Sequence, residues 1–146
     1  MLIETLKSLF NRDLNKLKVE IESYQNENQI WEIDKNISNS AGNLCLHLIG
    51  NINTYIGAEI GKTAYVRNRP LEFSLKNIPK SELITKIEDT IIVVNNAFDT
   101  LTEDDLEAIY PQIVFEKEMT TSFFLVHLST HLAYHLGQIN YHRRLL

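Results

Sequence analysis

The sequence predicts an all-α chain folded as a four-helix bundle with a long crossover loop. Apolar residues recur every three or four positions along most of the chain, which is the period of a helix with one buried face. No segment alternates in the manner of a strand with comparable strength. A length of 146 residues, 44% of them hydrophobic and 23% charged, suits one globular domain, 1–146, with an ordinary core.

The first helix is read over residues 2–24, where Ile3, Leu6, Phe10, Leu14, Leu17, Ile21 and Tyr24 form a stripe between charged residues. Gln25 to Gln29 is polar and ends it, and Trp31 with Ile33 then offers an apolar anchor in a connection. The second helix spans 40–58: Asn36 to Ser40 supply caps, and Leu44, Leu48, Ile52 and Tyr55 keep helical spacing. Gly57, Gly61 and Pro70 follow, so 59–77 is read as a long ordered loop and the crossover connection. Pro79 opens the third helix, whose stripe is Leu83, Ile87, Ile91, Val94, Phe98 and Leu101. Thr102 to Leu106 begins like a short capped turn of helix before Tyr110-Pro111 breaks it. Thr120 or Thr121 caps the fourth helix, and Arg143 and Arg144 near its end suit the negative pole of the helix dipole.

Composition excludes several functions. A net charge of −5 and a pI near 5.5 are wrong for a general nucleic-acid binder, which needs a basic surface to neutralise phosphates. The beginning of the chain has an acid at Glu4 and lacks the apolar stretch of a signal peptide, and no apolar run approaches the roughly 20 residues of a membrane span. A cytoplasmic protein is the default expectation. The single cysteine, Cys45, allows no intrachain disulfide.

Chemistry concentrates in the fourth helix. Four of the five histidines are His127, His131, His135 and His142. At about 100° per residue they fall, with Gln138, within an arc of roughly 80°, beside an apolar arc of Leu125, Leu128, Leu132, Leu136 and Ile139. Neutral imidazoles at i and i+4 lie one turn apart on one face, close enough to share a metal ion. The pairs His127/His131 and His131/His135 both have that spacing, and spacing does not choose between them. A third ligand would have to come from elsewhere, and the remaining histidine is His47.

His47 shares its face of the second helix with Asn43, Gly50, Asn51 and Thr54, all within about 60°. Such a face either meets solvent or forms a polar pocket wall directed at the histidine stripe. Cys45, two residues away, is turned by about 200° and is expected in the core instead of the site. Ser129, Ala133 and Gly137 make a ridge of small residues that suits either a dimer seam or internal packing. Lys62, Arg67 and Arg69 are either solvated or receive an anionic group of a substrate.

The stretches from Asn43 to Asn51 (NLCLHLIGN) and from His131 to Gln138 (HLAYHLGQ) resemble the DinB/YfiT-like superfamily of metal-binding four-helix bundles. The resemblance in helix order covers nearly the whole chain. It implies that His47, His131 and His135 bind a divalent metal, commonly zinc or nickel, with His127 and His142 as outer residues. It also implies a homodimer and, among functions, transfer of a low-molecular-weight thiol to a small-molecule substrate. Three histidines leave a position open, as catalytic ions require. Neither ligand motif carries a matched carboxylate to serve as general base, and thiol transfer needs one least. The competing expectations are a metal-dependent hydrolase, a non-catalytic metal- or ligand-binding dimer responding to stress, and a metal-free helical interaction protein.

Overall fold

A computed structural model describes residues 1–146 as an all-helical chain with no strand and one isolated antiparallel bridge, Ile109 to Thr120. Helix α1 is Leu2–Glu22, followed by a 3₁₀ turn at Glu27–Trp31. Helix α2, Ala41–Ile52, runs on into a π-helical segment, Asn53–Ala58. Short α3 is Arg69–Ser74, α4 is Lys80–Asp99, α5 is Glu103–Glu107 and α6 is Thr121–Leu145. The four longest, α1, α2, α4 and α6, pack around a shared core: α1 lies on α4 and α6, and α2 lies on α4 and α6.

The predicted stripes become that core. Phe10, Leu14, Leu17 and Ile21 of α1 meet Leu83, Ile87, Val94 and Phe98 of α4 with Leu125, Leu128, Leu132 and Ile139 of α6, all buried in one cluster. Each such side chain contributes about 1.5–3 kcal/mol by leaving water, so the stripes alone can hold helices whose intrinsic propensity is ordinary. No helix is long and apolar enough to cross a membrane.

Helix α2 departs from an amphipathic pattern because every residue from Ala41 to Ile52 is buried. Its polar side chains are therefore paired inside the protein where they can be, Asn51 Oδ1 being left without a partner. The Ser40 hydroxyl accepts from the Asn43 backbone N–H and caps the helix. Asn43 Nδ2 donates to the carbonyls of Glu72 and Leu75, each at 2.9 Å, and its Oδ1 accepts from Lys76 Nζ at 2.6 Å. Asn53 Nδ2 donates to Thr90 Oγ1 at 2.9 Å and ties the start of the π-helical segment to α4. The polar face seen in the sequence is thus a wall that docks another segment of the same chain.

That segment corrects one expectation. Residues 59–77 are not loop throughout, since Arg69–Ser74 is helical. Asn68 accepts the Leu71 N–H through its side chain and Pro70 occupies the first turn, a start signal that proline and glycine content obscured. The expected turn after Thr102 is α5, closed by a capping box with Asp105. Cys45 is fully buried, outside the cluster of His47, His131 and His135, and burial pushes its thiol up to about 12. Of the small-residue ridge, Ser129 is half-buried while Ala133 and Gly137 are exposed, and a Cβ on Gly137 would meet nothing within 4 Å.

Candidate metal centre

His47 projects from the middle of α2 and is 7% exposed. Its Nε2 lies 3.2 Å from Nε2 of His131, one turn before His135 on α6. The rings of His47 and His135 are 5.4 Å apart and those of His131 and His135 are 4.6 Å apart, each pair edge to face. One nitrogen from each of these three residues lies within 4.8 Å of the others. Two helices that are distant in sequence therefore bring three imidazoles to one point.

The other nitrogens are held from outside. His47 Nδ1 is 3.1 Å from Glu72 Oε1 and 3.4 Å from a guanidinium nitrogen of Arg67. A carboxylate only accepts, and it is the closer partner, so Nδ1 carries the proton and Nε2 keeps its lone pair. His135 Nδ1 is 2.7 Å from Gln138 Oε1, an arrangement that likewise leaves Nε2 as the free lone pair. Carboxylate and amide oxygens behind imidazoles are the usual means of orienting metal-ligating histidines.

Glu72 is itself anchored, accepting from Arg67 at 2.8 and 2.9 Å. Burial opposes its ionisation, but the hydrogen bonds from His47 and Arg67 outweigh burial and hold the carboxyl below the usual range. Burial, joined by the neighbouring imidazoles, depresses His131 to about 4, and burial also lowers His135. Both are neutral imidazoles at neutral pH.

These residues fit a divalent ion. Facing lone pairs 3.2 Å apart repel unless a proton or cation stands between them, and the spacing matches the roughly 3.3 Å between neighbouring nitrogens bound tetrahedrally at about 2.0–2.1 Å. His131 Nδ1 is buried without a hydrogen-bond partner, so the Nε2 contact with His47 is the one polar contact of this ring. A cluster of His47, His131 and His135 could thus hold a metal and leave a coordination position free.

The remaining sequence candidates sort themselves around this point. His127 lies one turn before His131 with its ring 6.4 Å away, packed against Phe115 at 4.7 Å, and is outside the cluster. His142 joins Tyr24 Oη at 2.5 Å and the Glu32 carbonyl at 2.9 Å, tying the end of α6 to the residues that follow α1 and the 3₁₀ turn. Lys62 donates to the Glu59 carbonyl and Arg69 lies over the Phe73 ring, so neither reaches the histidines. Arg67 does reach them, but its charge is committed to Glu72 instead of being offered to a ligand.

Glu72 is the residue that the sequence did not expose. It is 25 positions from His47, on a segment with no metal-ligand spacing. The available signals were indirect: the helix start at Asn68-Arg69-Pro70 and Gly50 on the His47 face. A Cβ at Gly50 would collide with the Glu72 carboxylate, so glycine there makes room for it. Because Glu72 stands behind His47 and is held by Arg67, it positions the imidazole and does not fill the missing role of general base.

The model of a family described as a protein of unknown function, DUF1572, matches residues 2–146. No curated protein matches the chain.

Proposed function

The chain belongs to the DUF1572 family, and from that footing we propose a divalent-metal-dependent enzyme built on a DinB-like four-helix bundle, with His47, His131 and His135 as ligands. Zinc or nickel suits three imidazole nitrogens. The observation that carries this reading is the convergence of one ring nitrogen from each of three histidines while Glu72 and Gln138 hold Nδ1 of His47 and His135.

The reaction class we favour is transfer of a low-molecular-weight thiol to a small electrophile. A divalent ion bound here supplies Lewis acidity that lowers the pKa of a thiol or water toward neutrality. His47, His131 and His135 fix its position with neutral lone pairs, and burial keeps protons from competing for His131 and His135. Glu72 holds the His47 tautomer, and Arg67 keeps Glu72 ionised. The carboxylate touching the rings is spent in this way, which favours a thiol over water as nucleophile, since a thiol sheds its proton with less help from a base.

Metal analysis of the purified protein tests the first step: we expect about one divalent ion per chain, by analogy with other three-histidine sites, and its loss in His131→Ala. An ion retained in full without His131 would remove the basis of the proposal. The loaded protein incubated with thiols and electrophiles should then consume both. Metal bound but no turnover over a broad panel would favour the non-catalytic binding protein, and no binding even after reconstitution would favour a metal-free interaction protein.

A further inference from the structure

The surroundings of the three imidazoles are unequal. Behind His47 the space is filled by Glu72, Arg67 and Phe73, whose ring is 5.0 Å from the imidazole. Beyond His131 along α6, His127 is enclosed by Phe115 and Phe124 at ring distances of 4.7 and 6.1 Å. Past His135 the chain opens. A cavity of about 700 Å³ lies between the second half of α6 and residues 32–39, and His135 and Gln138 form part of its wall. A second cavity of about 730 Å³, between α1 and α6, includes none of the histidines.

We propose that the cavity beside His135 seats the organic substrate, and that this substrate has an apolar body and a cationic head of the ammonium type. The link to catalysis rests on the metal-enzyme reading above; the binding site itself does not. The volume is that of sites for small organic ligands, which combine apolar walls with a few polar groups. Ile37, Leu44, Tyr134 and Leu145 give the apolar wall. Tyr134 is 66% exposed although its ring lies only 5.4 Å from that of His135, so a large aromatic face stands unused at the edge of the site. Aromatic faces attract cations.

The fixed charges agree, since Glu32 and Asp34 line the cavity against a single Lys35. An anionic ligand would meet two carboxylates in the cavity, whereas an ammonium would be drawn in. A carboxylate-bearing thiol is therefore the wrong occupant, and the cavity is assigned to the electrophile that the thiol attacks.

Matched probes test this in the metal-free and zinc-loaded protein: 4-phenylbutylamine, 4-phenyl-1-butanol and 4-phenylbutyrate, titrated with ligand-observed NMR. The amine is expected to bind about tenfold more tightly than the carboxylate in the metal-free protein, with the alcohol between them, and zinc loading narrows that gap because a carboxylate can also take the open coordination position. Tyr134→Ala should weaken the amine about fivefold, and Asp34→Asn should bring amine and carboxylate to within about twofold of each other. Both side chains are exposed, so neither change threatens folding. Equal or tighter binding of the carboxylate by the metal-free protein, or no effect of Tyr134→Ala on the amine, would overturn the proposal. Zinc uptake without binding of any probe would overturn the cavity alone, while selective amine binding by a protein that takes up no metal would sustain the cavity and overturn its catalytic link.

Discussion

Replacing Gly50 by alanine isolates what Glu72 does without altering any of the three histidines. In a helix interior alanine is better than glycine by about 1 kcal/mol, so propensity by itself predicts stabilisation. The added Cβ, however, falls on the Glu72 carboxylate. That carboxylate is not a free side-chain end, because it accepts from Arg67 at 2.8 and 2.9 Å and lies 3.1 Å from His47 Nδ1. Hydrogen bonds to charged groups contribute about 1.5–3 kcal/mol each. Losing one of the three therefore cancels the gain in propensity and leaves a net destabilisation of about 0.5–2 kcal/mol. For a chain of this size that is a fall in Tm of roughly 2–6 °C by thermal unfolding of the metal-free protein. With His47 no longer held, zinc affinity by competition with a chromogenic chelator should fall at least about tenfold, or about 1.4 kcal/mol. A Gly50→Ala protein with a higher Tm and unchanged zinc affinity would show that Glu72 moves aside at no cost and does not orient His47.

Within the histidine stripe, His135→Ala should abolish stoichiometric metal binding, while His127→Ala should retain it, as measured by metal content after dialysis. Acid should destabilise the metal-free protein in two windows. His131 is neutral when folded, depressed to about 4, but takes a proton near its ordinary 6.5 when unfolded, so stability is full above about 6.5 and falls from there to about 4. Glu72, held below the usual range, contributes fully above the ordinary Glu value of about 4.3 and loses that contribution as pH falls through its folded value. Urea midpoints against pH should show the upper window flattened in His131→Gln and the lower one flattened in Glu72→Gln; curves parallel to the parent would refute either assignment. Finally, Gly42→Ala would place a Cβ 2.5 Å from the Trp31 ring, and should cost about 1–3 kcal/mol and shift the emission of this sole tryptophan.

The helices were legible because each depends on its own stretch of sequence. The stripe Leu83, Ile87, Val94 and Phe98 marks α4 without reference to anything else, and Thr120 caps α6 through its own local contact with Phe123 N–H. The relation of His131 to His135 is equally local, since the helical period alone places them one turn apart. The π-helical turn at Asn53–Ala58 had no such mark, and α3 was hidden because six residues are too few to display a period.

By itself, then, the sequence determined that the chain would be helical, which helix would carry a stripe of imidazoles, and that Cys45 would point elsewhere. Only the tertiary structure decided that His47 is buried against His131, that His127 stays outside, and that Glu72 and Arg67 stand behind the site. The physical reason is the range of the forces. Backbone periodicity acts over a turn or two of helix, whereas the polar face of α2 found its partners by excluding water from a whole segment 25 or more residues away.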